Sequence, residues 1–199
     1  MNVLVVFCHP THESFTGASL ERVLAGLARG GHDVRITDLY AEQFQPELSL
    51  DERRFHLTDH REAPDLRAGI AHHLDDLRWA QALVLVYPTW WAGQPAMLKG
   101  WFDRVLASGV AWHLPRGARR IRPMLHDIRR LVVVTSHGSS KFVNALEGEG
   151  GKRVVGRALR VLCGVRCRTS WIALYGIDRA DEAARHAFLD RVERRLSRL

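Results

Sequence analysis

Three uninterrupted apolar runs constrain this chain most: Val3-Leu4-Val5-Val6-Phe7, Leu83-Val84-Leu85-Val86-Tyr87 and Leu131-Val132-Val133-Val134. Each is too short for a helix of ordinary length, rich in β-branched residues, and without the polar alternation of a half-exposed strand. Such runs read as strands buried on both faces, which is the pattern of a parallel sheet covered by helices on each side. The spacing predicts strands over Asn2 to Phe7, Ala82 to Tyr87 and Arg130 to Thr135. Two weaker segments, Asp33 to Tyr40 and Arg168 to Tyr175, complete a set of five.

Between the strands the apolar period changes from continuous to helical. Phe15 to Ala28 repeats through Phe15, Ala18, Leu20, Leu24 and Leu27, with Ser14 placed to cap it and Gly30-Gly31 to end it. Asp65 to Trp79, Gly151 to Cys163 and Asp181 to Leu199 have the same character. Met97, Leu98, Trp101, Phe102 and Val105 mark another helix, with Pro95 at its first position. Ser49-Leu50-Asp51-Glu52 has the form of a capping box, so a short helix starts there inside the long connection from Ala41 to Pro64. Ala111 to Met124 has no regular pattern. Alternation of strand and helix over 199 residues, without a repeat or linker, predicts one α/β domain spanning 1–199.

Composition narrows the function classes. No apolar run approaches the roughly 18 residues that a membrane span needs. The start MNVLVVFCHP lacks a signal peptide's cationic region and cleavage site. A cytoplasmic chain is expected, without membrane insertion but open to peripheral association. Cys8, Cys163 and Cys167 form no disulfide framework and read as buried thiols. The net charge of +7 comes largely from scattered arginines, densest at Arg116, Arg119, Arg120 and Arg122. No nucleic-acid-binding motif accompanies it, so a nucleic-acid partner is not expected. His56 and His60 are four apart and His72 and His73 adjacent, but no established zinc spacing surrounds them, and no metal is expected.

In covered parallel sheets, ligands lie beyond the carboxyl ends of the strands. Three loops there carry chemistry. Cys8 to Ser14, leading into Phe15 and Thr16, offers His9, hydroxyls and the N–H groups of a helix start, a setting for phosphate. Pro88, Thr89, Trp90, Trp91, Ala92 and Gly93 offer flat aromatic surfaces and a small backbone for a planar ring, with one tryptophan expected to pack under the loop. Ser136 to Ser140, following Thr135, offers hydroxyls, backbone donors and His137, the one residue placed to act as a proton donor. Rival phosphate sites fail on inspection. A cysteine-phosphatase loop needs arginine where Ser14 stands, and the glycine fingerprint of a dinucleotide fold is absent.

These residues resemble the flavodoxin-like NAD(P)H:quinone oxidoreductases, including small bacterial members that serve as potassium-efflux ancillary proteins. The most specific likeness is Tyr87 to Val105, YPTWWAGQPAMLKGWFDRV. The second is His9 to Thr16, HPTHESFT, with threonine where the family has asparagine. Thr135 to Ser140, TSHGSS, is similar to the family's Thr-Thr-Gly-Gly loop with two replacements.

The resemblance implies a flavodoxin-like three-layer sandwich with a five-stranded parallel sheet in the order 2-1-3-4-5. It implies a flavin, FMN or FAD, and NAD(P)H as co-substrate. His9, Ser14, Phe15 and Thr16 would hold the flavin's phosphate, Pro88 to Gly93 would run along its ring, and Thr135, Ser136, His137 and Gly138 would meet the ring's polar edge. Reduction of a small quinone-like acceptor follows, the alternative being a flavin-binding electron carrier or regulatory subunit. A homodimer is also implied, with the Trp101 helix contributing to the interface. Lys99 and Arg104 are expected to be surface or packing residues. Phe142, near the place of a family tyrosine that assists proton movement, has no proton to donate.

Overall fold

The computed structural model describes residues 1–199. Its sheet consists of β1 (Asn2–Phe7), β2 (Asp33–Asp38), β3 (Ala82–Pro88), β4 (Arg130–His137) and β5 (Arg168–Tyr175), all parallel, in the order β2-β1-β3-β4-β5. This is the expected 2-1-3-4-5 arrangement, with β1, β3 and β4 in the middle. The three apolar runs are therefore the three central strands, which explains their unbroken hydrophobicity. Only interior strands lose both faces to the core.

Period-two alternation divides these strands between two cores. Val3, Val5 and Phe7, with Ala82, Val84 and Val86, pack under Leu20, Val23 and Leu27 of α1 (Phe15–Arg29) and Phe188, Val192 and Leu196 of α8 (Glu182–Leu196). Leu4, Val6, Leu83, Leu85 and Tyr87 face the other way. Against them lie Leu74 and Leu77 of α3 (Ala71–Trp79), Trp101 and Val105 of α4 (Ala96–Val105), and Val155 and Leu159. Helix α2 (Leu50–Arg54) has the expected capping box at Ser49 and Glu52. Its Glu52, almost fully buried, receives the Arg104 guanidinium at 3.0 Å, so Arg104 is a packing partner that ties the long connection to α4. Lys99 pairs with Asp103 on the surface of α4.

Several local expectations are corrected. Strand β4 runs two residues past Thr135, so Ser136 and His137 are strand residues paired with Leu174 and Tyr175. Strand partners on both sides of Ser136, and Tyr175 beside His137, outweigh the turn-forming composition there. Pro95 is the cap residue before α4 and not its first residue. The helix expected from Asp65 breaks into a 3-10 segment, Pro64–Ile70, and α3, with non-helical backbone at Arg67. The segment around Gly151 is α6 (Gly150–Arg153), a π-helical stretch Val154–Leu159, and α7 (Arg160–Leu162). A short α5 (Lys141–Leu146), capped by Ser140, was not indicated by any apolar period, because its Phe142, Val143 and Leu146 point to solvent. Trp112–His113 and Arg122–Pro123 form a small antiparallel ribbon. Trp101 is wholly buried in its own chain, so any interface on α4 involves other residues.

Candidate functional site

The ends of β1, β3 and β4 place the three loops side by side, where the strand order turns back from β1 to β3. Thr89 joins the second loop to the third. Its N–H donates to the Ser136 carbonyl at 2.8 Å, and its hydroxyl lies 3.0 Å from Thr135 Oγ1 and 3.4 Å from His137 Nε2. The first and second loops approach through His9 and Trp90, whose ring centroids are 6.3 Å apart. A cavity of about 660 Å³ opens between the second and third loops, lined by Thr89, Trp91, Ala92, His137, Gly138 and Asn144 among others.

In the first loop, Ser14 caps α1 as expected. Its hydroxyl accepts from the Gly17 N–H at 3.0 Å and donates to the Thr11 carbonyl at 3.0 Å. That hydroxyl is already engaged, and the Phe15 ring is packed on Phe188 at 5.6 Å. What the helix start leaves open is backbone. The N–H groups of Phe15 and Thr16 have no acceptor in the protein, and a helix N-terminus favours an anion at such a place. His9 is partly exposed, with Nδ1 2.7 Å from the Thr11 carbonyl. Burial pushes the Cys8 thiol up to about 12, so it offers no nucleophile.

The second loop differs from expectation. Neither tryptophan packs beneath it: Trp90 is 41% exposed and Trp91 fully exposed, at 103%. The cause is a tight turn. Trp90 and Gly93 exchange both backbone hydrogen bonds, at 3.2 and 3.0 Å, and Trp91 and Ala92 between them have φ of 47° and 57°. Two successive positive φ values are the signature of a type I′ turn, which ordinarily takes asparagine and glycine. Trp91 and Ala92 there cost about 1–2 kcal/mol each in backbone strain. Strain of this kind concentrates at functional sites. The turn is held by α6: the Ala92 carbonyl accepts from the Gly151 N–H at 3.3 Å, and Gln94 donates to the Gly151 carbonyl at 2.9 Å.

At the third loop, His137 is buried and its Nδ1 has no hydrogen-bond partner. Its ring stacks on Tyr175, centroids 4.6 Å apart. Burial lowers its pKa from 6.5, with Asn144 and Glu149 pulling the other way, so the ring is neutral near pH 7. The Tyr175 hydroxyl lies 3.5 Å from Glu149. Tyr175 and Gly151 were not anticipated from sequence. Tyr175 is the last residue of β5, where the strand-end rule applies equally. Gly151 is reached only through tertiary contact.

These features suit a planar, phosphorylated group: unpartnered N–H donors at a helix start, an unpartnered buried imidazole nitrogen, and a strained aromatic turn between them. No helix is long and apolar enough to cross a membrane. In comparisons with known proteins, a solved NAD(P)H:quinone oxidoreductase from Methanothermobacter marburgensis is 32% identical, with a TM-score of 0.84 over 100% of this chain and 98% of that one. A ribosyldihydronicotinamide dehydrogenase-like protein of Penicillium crustosum is 34% identical over 162 residues, 73% of this chain and 61% of that protein. An uncharacterized NAD(P)H oxidoreductase of Haemophilus influenzae is 36% identical over 123 residues, 59% of this chain and 56% of that protein. The matched region thus spans little more than half the length of these curated relatives. A model of the family with a flavodoxin-like fold matches residues 1–196, and the chain belongs to that family.

Proposed function

We propose that this protein is a flavin-dependent NAD(P)H oxidoreductase that reduces a quinone or similar small acceptor. The observation that carries the reading is the gathering of three strand-end loops at one edge of the sheet: a cavity bordered by the second and third loops with the buried His137 in its lining, and beside the second loop, across the His9–Trp90 contact, the first loop with its unpartnered backbone donors. The full-length likeness to a protein named NAD(P)H:quinone oxidoreductase supports it.

FMN or FAD bound there would supply the two-electron hydride chemistry. The chain's own contribution is placement and electrostatics. Phe15 and Thr16 would hold the phosphate through their backbone N–H groups, with His9 beside them. The turn Trp90 to Gly93 would border the ring, and Trp91 would cover it or the acceptor. Thr89 orients His137 through Nε2, and Tyr175 shields the imidazole from water. A neutral imidazole holds one proton and one lone pair, so it can pass a hydrogen bond or a proton to the acceptor.

The same reading takes residues 1–199 as one domain acting in the cytoplasm as a homodimer. Trp91 on the cavity wall is exposed, as are Phe142 and Leu146 on α5, the helix that lends the cavity Asn144, and this is the apolar surface that a second copy would cover.

The test is direct. The purified protein is expected to be yellow, or to become so with added flavin, and to consume NAD(P)H faster when a quinone is present. Denaturation and identification of the released group distinguishes FMN from FAD. Flavin that binds but is not bleached on rapid mixing with NADPH would leave an electron carrier and overturn the oxidoreductase reading.

A further inference from the structure

We propose that Glu42, His72 and His73 form a binding site for a divalent cation of the zinc class. The site uses no residue of the three loops described above. The turn after β2 carries Glu42 against the first turn of α3, where the two histidines stand. Glu42 Oε2 lies 3.3 Å from His72 Nε2 and 3.6 Å from His73 Nε2, and the three ligand atoms fall within 4.8 Å of one another.

The two separations from Glu42 Oε2 match a coordination sphere, and the histidine nitrogens are near enough to close it with a small side-chain adjustment. With metal–nitrogen and metal–oxygen bonds of about 2.0–2.2 Å, adjacent ligands around a tetrahedral zinc ion stand about 3.3–3.6 Å apart. A Glu42 Oε2 to His73 Nε2 separation of 3.6 Å is too long for a hydrogen bond between them. The His72 and His73 rings, side by side at 3.9 Å between centroids, direct both imidazoles toward one carboxylate.

His73 supplies an independent indication. It is 2% exposed and makes no hydrogen bond, its Nδ1 being enclosed without a partner. Its Nε2, which faces Glu42, has no hydrogen-bond partner either, and a cation there would hold the ring by that nitrogen, with Nδ1 turned into the core. The carboxylate is held for the task. Glu42 Oε1 accepts the Asp38 N–H at 3.0 Å, leaving Oε2 to the histidines, and no arginine or lysine pairs with Glu42. Arg104, which lines the same cavity, is committed elsewhere: it donates to Glu52 and to the Gln45 carbonyl.

The three ligands line a cavity of about 440 Å³ beside Gln43, Phe44 and Gln45, leaving room for water in a fourth position. Two imidazoles and one carboxylate with an open position suit zinc, nickel or copper more than magnesium or calcium, which prefer oxygen. His72 is 62% exposed, so metal enters from solvent without unfolding the chain.

The experiment is a titration of the full-length protein with Co²⁺ as a spectroscopic probe, followed by competition with Zn²⁺. The expected result is one saturable site per chain with the visible absorption of tetrahedral cobalt, abolished by Zn²⁺. Glu42→Gln and His72→Ala are expected to weaken Co²⁺ binding at least about tenfold, since even outer-shell changes at metal sites cost about 10–100-fold. His186→Ala, a histidine outside the cluster, should leave the titration unchanged. The exposed His72 keeps the test informative where Glu42→Gln perturbs the turn. Absence of a saturable cobalt spectrum, or His72→Ala titrating like the wild type, overturns the proposal.

Discussion

The His137 ring lies on the Tyr175 ring, 16° from parallel and 4.6 Å between centroids, across the last paired residues of β4 and β5. Burial dominates the His137 pKa, and Tyr175 provides part of that burial. In Tyr175→Leu the imidazole gains water on one face, so its pKa is expected to rise back toward 6.5. The sign for stability follows. The folded wild type disfavours protonated His137, so the unfolded chain binds more protons below pH 6.5 and stability falls as pH drops through the folded pKa. The variant should show a shallower loss over the same window. NMR titration of the His137 ring protons checks the first outcome, and urea midpoints between pH 7 and pH 5 check the second. An unchanged His137 titration would show that Tyr175 does not shield it.

Trp91 contributes no buried surface, being fully exposed on a strained turn. Trp91→Ala should therefore leave folding stability within about 0.5 kcal/mol. If its ring covers the flavin, losing that contact removes about 0.5–1.5 kcal/mol of binding, roughly a two- to twelvefold weaker Kd. His137→Ala, which removes one hydrogen bond, should weaken binding less. Flavin titrations of the three proteins make the comparison, and equal affinities for wild type and Trp91→Ala would exclude the ring contact.

How much of this was legible in the sequence depended on where the determining physics lay. The unbroken apolarity of Val3 to Phe7, Leu83 to Tyr87 and Leu131 to Val134 reports burial on both faces, so the central strands and the layer order could be read directly. Ser14 and the Ser49–Glu52 box were equally readable, because capping is local chemistry. The orientation of Trp91 was not readable, since two positive φ values at non-glycine residues are imposed by the Trp90–Gly93 closure and by Gly151, about sixty positions away in the chain. The strand character of Ser136 and His137 was hidden for the same reason: pairing with Pro88, Leu174 and Tyr175 is tertiary. Of the candidate site, the three loops were visible. The cluster of Glu42 with His72 and His73 depends on a fold that brings positions thirty residues apart together.

Asp59 provides a second pH-dependent device. Arg61 grips it with Nε and Nη2 at 2.9 and 2.8 Å and with its backbone N–H at 2.9 Å, which holds the Asp59 pKa down to about 2. A folded pKa below the unfolded 3.8 means the stabilisation is present above about pH 4 and is lost as pH falls toward 2. Its size is at most about 2 kcal/mol, and nearer 1 because the Arg61 side chain is 71% exposed and screened. Urea unfolding of wild type and Asp59→Asn should differ by about that amount at pH 7 and converge near pH 2. A constant difference across that range would assign the effect of Asn to packing instead.

Two glycines on α1 separate folding from binding. A Cβ at Gly17 would run into the His12 carbonyl, within the turn that leads to the unpartnered Phe15 and Thr16 N–H groups. At Gly26 it would meet the Glu193 carbonyl at 2.5 Å and Leu196 Cβ at 2.9 Å, in the packing of α1 on α8. Both obstacles include backbone, so neither can rotate aside, and overpacking of this kind costs about 1–3 kcal/mol. Alanine's better helix propensity returns up to about 1 kcal/mol at each position, leaving both variants modestly destabilised. Their effects on flavin should differ. Gly17→Ala displaces the His12 to Ser14 turn and with it the anion donors, whereas Gly26→Ala disturbs only the contact with α8. Flavin affinity measured under conditions where both variants are folded is therefore expected to fall for Gly17→Ala and to stay at the wild-type value for Gly26→Ala. Equal affinities in the two variants would remove the α1 N-terminus from the flavin site.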